Sequence, residues 1–234
     1  MANSLEDFSQ FDISKEEKDK LVAEVIRYVL YKTYQSSGCP IKREELTQLI
    51  TKNYRQRGLP SLVINEAREK LSSIFGYEMK ELQRVRSSTN QGQSSQHSLV
   101  DAKSYVIISK IPPEVYRKHV ENTKTFSSSG FTFAVIGIVH LAGGKISEED
   151  LWDQLKRMGL HDSDEGHPVF GNIKQQLESL VQQRYLQKDK VNNVDGSSIV
   201  FELAERALDD SVIGRVKEYI GQIMKKDDAS EEID

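Results

Sequence analysis

The apolar positions of the chain fall into two successive sets with the same rhythm: helical spacing three times, then two short runs that alternate. In the first set, Leu21, Val22, Val25, Ile26 and Val29 mark one face of a helix predicted from Lys15 to Tyr34, because recurrence every three or four residues lines one side of a 3.6-residue turn. Ser14 precedes it with Glu17 three residues on, the pairing that satisfies two free backbone N–H groups reciprocally. Gly38-Cys39-Pro40 breaks the chain. A second helix, about Arg43 to Tyr54, carries Leu46, Leu49 and Ile50, and a third, about Leu62 to Phe75, carries Val63, Ala67, Leu71 and Ile74 before Gly76 stops it. Tyr77–Leu82 and Tyr105–Ile108 read as strands, the second rich in β-branched and aromatic residues. Arg86 to Ser98 between them holds no apolar residue to offset the entropy of ordering, so a mobile hairpin tip is expected there.

The second set repeats the first. Phe131 to Leu141 is an almost wholly apolar helix ended by Gly143-Gly144, as suits one buried on most sides. Ser147 caps the next, with Asp150 in its first turn and Leu151, Trp152, Leu155 and Met158 as its stripe, until Gly159. A third carries Ile173, Leu177, Leu180 and Val181. Tyr185–Lys190 and Ser198–Leu203 then flank the turn residues 192–196, and a last helix, about Glu205 to Met224, shows Leu208, Val212, Val216, Ile220 and Ile223. Three helices followed by a hairpin is the order of a winged helix. The expected fold class is therefore mainly α with small β-hairpins, in tandem winged-helix (helix-turn-helix) modules. Its parts are a flexible N-terminus at 1–12, module A at 13–110 with the insertion 86–98, and a linker at 111–129 ending in Ser127-Ser128-Ser129. Module B follows at 130–225, and an acidic, fraying tail at 226–234.

Charge narrows the choice of partners. The formal net charge is −4, so nucleic acid could be held only by a local basic patch. Counted by segment, residues 1–85 carry 14 Lys/Arg against 13 Asp/Glu and residues 126–225 carry 11 against 15, so neither half is a basic module. The single cysteine, Cys39, permits no internal disulfide, which fits a reducing compartment. No apolar run approaches the roughly 18 residues that span a bilayer, and the acidic start MANSLEDFSQFD lacks the basic, then apolar, order of a secretory signal. The expected setting is inside the cell, away from a membrane.

Six blocks of sequence carry a family resemblance. VIRYVLYKTY, PIKREEL and AREKLSSIFGYEMKEL in the first half, then FTFAVIGIVHLAGGKISEEDLWDQLKRMGL, HPVFGNIKQQLESLVQQRYLQKDKV and FELAERALDD in the second, resemble the MAGE homology domain in order and spacing over residues 16–222. FGYEMKEL and the RALDD ending look most like its chromosome-maintenance form. The resemblance implies tandem winged helices, a nuclear location, and a binding role beside a RING-type ubiquitin ligase subunit and a kleisin subunit in an SMC five/six-type complex. It implies no cofactor and no small-molecule substrate. Carried over by position, the family's leucine pair for the RING partner matches Val29 and Leu30, where valine in place of the first leucine removes roughly one methylene, about 0.8 kcal/mol if buried at the contact. Phe170, Ile173 and Leu177 are the corresponding candidates for the kleisin. Each of these five also fits the apolar core of its own helix.

Two groups of cations are candidates for DNA. Lys174, Arg184, Lys188 and Lys190 would meet at the third helix and hairpin of module B, and the resemblance to the chromosomal form favours them. Lys42, Arg43, Lys52, Arg55 and Arg57 cluster around the second helix of module A. Both contain or adjoin acidic residues, Asp189 in one and Glu44-Glu45 in the other, so each also reads as a solvated face.

Catalytic motifs fail on inspection. Gly143-Gly144-Lys145 has Val139 and Ile146 where a phosphate loop needs glycine and Ser/Thr. Asp162, Asp164 and Gly166 begin like a calcium loop, but His167 and Ile173 occupy the positions of its glycine and closing glutamate. Five scattered histidines and one cysteine offer no zinc spacing. The rival to an adaptor is a sequence-specific winged-helix regulator of transcription, in which Asn172, Lys174, Gln175, Gln176 and Gln182 would read base edges.

Overall fold

A computed structural model of the chain describes residues 13–82, 103–120, 123–193 and 196–231. The expectations for residues 1–12 and for the insertion 86–98 lie outside the described residues. The chain divides into two compact units, Met1–Tyr116 and Arg117–Asp234.

The first unit begins with α1 (Lys15–Gln35), followed by β1 (Ile41–Lys42), α2 (Arg43–Thr51), α3 (Leu59–Ser73) and the hairpin β2 (Tyr77–Leu82) with β3 (Ser104–Ser109). The capping box of α1 forms as the sequence indicates: the Glu17 N–H donates to Ser14 Oγ at 3.2 Å and the Ser14 N–H to Glu17 Oε2 at 2.9 Å. Helix α3 starts earlier than its apolar pattern, at Leu59, because Pro60 stands in the first turn, where its fixed φ fits and its missing N–H is no loss. Gly58 makes the entry with φ +93°, a conformation that favours glycine. The sheet is antiparallel in the order β1-β3-β2, with Tyr77 opposite Ser109 and Leu82 opposite Ser104. Val25, Val29, Leu46, Ile50, Leu59, Val63, Ala67, Leu71 and Met79 are fully buried between the three helices and this sheet. At about 1.5–3 kcal/mol for each large apolar side chain removed from water, that cluster is what holds the unit together.

Between the two hairpin-bearing bodies, α4 (Pro113–His119) carries the boundary. The second unit then runs α5 (Thr123–Leu141), β4 (Lys145–Ser147), α6 (Glu148–Arg157), α7 (Ile173–Gln182), β5 (Leu186–Asn193), β6 (Gly196–Leu203) and α8 (Asp210–Glu231). Its sheet is β4-β6-β5, so the order of helices, short strand and hairpin repeats that of the first unit, and α8 is added. Phe131, Val135, Val139, Leu151, Leu155, Ile173, Leu186, Phe201 and Ala207 form its buried centre.

The segment 111–129 differs from the connection expected of it. Pro113 opens α4, and Ser127 to Gly130 lie inside α5. Their weak helix propensity is overridden because Phe131, Val135 and Ile136 must be buried and carry the preceding turns with them. Thr132 Oγ1 also donates back to the Ser128 carbonyl at 2.8 Å. At the other end α8 starts at Asp210 rather than Glu205. Ala204 and Arg206 donate their N–H groups to the Tyr185 and Arg184 carbonyls at 2.9 and 3.1 Å, which fastens residues 204–209 to the turn after α7. Asp209 then accepts from the Ser211 N–H at 3.1 Å as the helix begins. The tail expected to fray is helical as far as Glu231.

Candidate functional site

Helix α1 turns two different faces outward and inward. Leu21, Val22, Val25, Ile26 and Val29 point into the core, so Val29, at 0% exposure, offers no surface to a partner. This corrects the expectation of a two-residue contact: Val29 is structural, and Leu30, half-buried and packed against the core, is the member of the pair that reaches the surface. Arg27, Leu30, Tyr31 and Tyr34 follow one another at i, i+3, i+4 and i+7, which makes them neighbours on the helix surface, with Leu30 at the edge of the core and the other three exposed. Tyr31 is 64% and Tyr34 89% exposed. Neither tyrosine stands out in the sequence, because both are out of phase with the buried stripe; that same phase is the signal that assigns them to the outer side.

The C-terminal half of α1 is held in place by a polar clamp. Tyr28 Oη donates to Glu45 Oε2 at 2.8 Å and the Lys42 N–H donates to Oε1 at 3.1 Å, tying α1 to the start of α2. Burial, and then the Glu45 carboxylate, push the Tyr28 phenol up to about 12. Burial pushes Glu45 the other way from its net shift; the bonds from Tyr28 and Lys42 and the Lys32 ammonium at 3.8 Å outweigh it and hold the carboxyl below its ordinary value.

In the second unit Ile173 and Leu177 are at 0% and 3% exposure, inside the core. They too are structural, which corrects their assignment as direct contacts. Phe170 is half-buried: its ring stacks on His167 at 5.1 Å and tilts against Phe131 at 5.7 Å. His167 and Gly171 exchange backbone N–H bonds at 2.9 and 2.8 Å, and His167 Nδ1 accepts from the Val169 and Phe170 N–H groups at 3.2 and 3.3 Å. This knot before α7 presents Val169, 57% exposed, beside Phe170.

The four cations expected together in the second unit have different fates. Arg184 takes a left-handed φ of +64° and grips Glu205 with Nε and Nη2. Lys188 lies 3.6 Å from Glu148, 3.7 Å from Glu178 and over the Phe201 ring. Among the described residues, only Lys174 and Lys190 of the four are exposed without an ion pair. The reading of α7 as a base-reading helix fares no better. Asn172 Oδ1 accepts from the Gln175 N–H at 2.8 Å as the helix cap, and Gln176 Nε2 donates to the Phe170 carbonyl at 3.2 Å, so both amides are engaged internally.

Among the described residues no group of three or more His, Cys, Asp or Glu is placed to hold a metal ion, and no helix is long and apolar enough to cross a membrane. Gly143 and Gly144, at φ +87° and +89°, serve as the exit from α5.

The chain matches the model of the MAGE homology domain over residues 25–211. It is 25% identical over 207 residues to the mouse protein "Non-structural maintenance of chromosomes element 3 homolog", covering 88% of this chain and 67% of that protein. Its human counterpart is 24% identical over 92% of this chain and 64% of its own length, so the chain spans about two thirds of these relatives. A chain of a solved "Nse1-Nse3-Nse4 complex" shares the fold with a TM-score of 0.74, at 23% identity, over 91% of this chain and 93% of that one. With the family pattern running through both units and most of the sequence, the chain belongs to the MAGE homology domain family.

Proposed function

We propose that the chain is a non-catalytic adaptor of an SMC five/six-type chromosome-maintenance complex, acting in the nucleus in DNA repair and recombination. In this reading the two units are tandem winged helices. The first docks a RING-type ubiquitin ligase subunit on α1, through Leu30 with Val29 as its buried support, and influences ubiquitin transfer by positioning that ligase. The second docks a kleisin-type subunit at Phe170, with Ile173 and Leu177 holding the surface from beneath. Lys174 and Lys190 add weak, sequence-independent contact to DNA, while Arg184 and Lys188 are occupied within the fold.

The observation that carries the reading is the uncovered strip on α1. Two tyrosines and Arg27, set beside Leu30, are of the residue types enriched at protein interfaces, and the core behind them is already closed by Val25, Ile26 and Val29. The names of the relatives, and the three-subunit title of the structural neighbour, agree with an assembly of this kind. The test is co-purification with a tagged full-length chain and its Leu30→Asp variant. Recovery of RING-type and kleisin-type proteins, with the RING protein alone lost in a variant that melts normally, is expected. Failure of the folded chain to recover any RING protein would sink the adaptor.

A further inference from the structure

Phe170 owes its position to His167, a half-buried residue one turn before it in the segment that leads into α7. The imidazole Nδ1 accepts the N–H groups of Val169 and Phe170 at 3.2 and 3.3 Å, and the ring stacks on the Phe170 ring at 5.1 Å with 23° between the planes. The backbone of His167 is paired with Gly171, whose φ of +69° suits glycine and turns the chain back toward the helix. Phe170 is thereby fixed at both polar groups of its backbone, since its carbonyl accepts from Gln176 Nε2 at 3.2 Å. What stays open is an apolar strip: Pro168 and Val169 are exposed and Phe170 is half-buried beside them.

A ring nitrogen that accepts two N–H groups carries no proton, so the imidazole proton sits on Nε2. Among the described residues Nε2 has no hydrogen-bond or ion-pair partner. The apolar strip therefore has one oriented donor at its side. Because the two rings are stacked, a segment that covers Phe170 also shuts water away from this N–H, and a buried donor left unmet is costly. We infer that His167 is the specificity-determining residue of this surface. Through Nδ1 it positions Phe170; through Nε2 it selects a kleisin-type segment that lays an apolar side chain on Val169 and Phe170 and sets a backbone carbonyl against the imidazole N–H. A segment that is merely apolar leaves the donor unpaired and is disfavoured on that ground. A carboxylate is a poorer acceptor here than a carbonyl, because Asp162, Asp164 and Glu165 of the same loop already make its surroundings acidic.

The inference rests on the docking role proposed above for Phe170. Its test uses the full-length chain and the kleisin-type protein that it recovers from its own cells. The histidine nitrogens are isotope-labelled and followed by NMR, with the His167 signals identified by their loss in His167→Asn. In the free chain Nδ1 is expected to be unprotonated and the Nε2 proton to exchange with water; saturation with the kleisin-type protein should slow that exchange. Affinity is then measured for variants that melt as the parent does. Asparagine keeps an acceptor for the two backbone N–H groups and removes the outer donor, so His167→Asn should bind about three- to tenfold more weakly. His167→Ala loses both roles and should bind at least about tenfold more weakly. A proton on Nδ1 in the free chain would overturn the inference, as would unchanged Nε2 exchange in the saturated complex. Parent-like affinity in both His167 variants, where Phe170→Ala loses binding, would overturn it and leave the docking role of Phe170 standing. Parent-like affinity in Phe170→Ala would instead sink that docking role, and the inference with it.

Discussion

Tyr28 and Glu45 show how much a single polar contact decides in the first unit. The hydroxyl and carboxylate are both partly buried, and their 2.8 Å bond fixes α1 on α2 one turn from the proposed docking residues. Tyr28→Phe is expected to lower stability by about 1 kcal/mol, since a bond to a charged acceptor is lost from a site with some access to water. The sign of the pH effects follows from the shifts. Glu45 lies below its ordinary 4.5, so its contribution is complete above that pH and lost as pH falls through the folded value. Tyr28 lies above its ordinary 10.0, so its contribution is complete below pH 10 and lost as pH rises toward about 12. Melting temperature followed across acid and alkaline pH should show both losses in the parent and shallower ones in Tyr28→Phe. The sequence makes the Ser14–Glu17 box legible at this scale, because both partners are three residues apart. It does not reveal the Tyr28–Glu45 bond, which joins two helices, nor that Val29 and Leu30 part ways between core and surface.

At the scale of elements, most helices and both hairpins are legible because each carries its own apolar period. Besides α4, which forms inside the expected linker, what escapes is of two kinds. β1 and β4, of 2 and 3 residues, are too short to show alternation and exist because the hairpin strands β3 and β6 pair with them. The early start of α5 and the late start of α8 depend on tertiary partners, the core beneath Phe131 and the backbone bonds to Arg184 and Tyr185. Arg184 belongs to this same joint. Its guanidinium closes the turn after α7 on Glu205, whose side chain is only 7% exposed. Arg184→Ala is expected to lower the unfolding free energy by about 2–3 kcal/mol in denaturant titrations, because it leaves a nearly buried carboxylate unpaired. Lys190→Ala, on the exposed side of β5, should change it by less than about 0.5 kcal/mol. Similar effects of the two changes would show that the Arg184 pair is not structural.

Across the whole molecule, one topology is used twice, helix, short strand, two helices and hairpin, and a long C-terminal helix is added to the second copy. Each copy closes its own core, so each can present a surface without unfolding the other. The proposed sites use this economy: buried Val29, Ile173 and Leu177 set the positions of Leu30 and Phe170. The family pattern made the candidate regions legible from sequence, while the degree of exposure of Tyr31 and Tyr34 needed the fold. The central claim, that the uncovered face of α1 docks a RING-type subunit, is tested most directly by calorimetric titration of the full-length chain with the RING protein it recovers from its own cells. Tyr31→Ala/Tyr34→Ala is expected to weaken that binding by about 10- to 100-fold, the scale of 1–3 kcal/mol that interface aromatics carry, with an unchanged melting temperature. Unaltered affinity in the folded double variant would contradict the account.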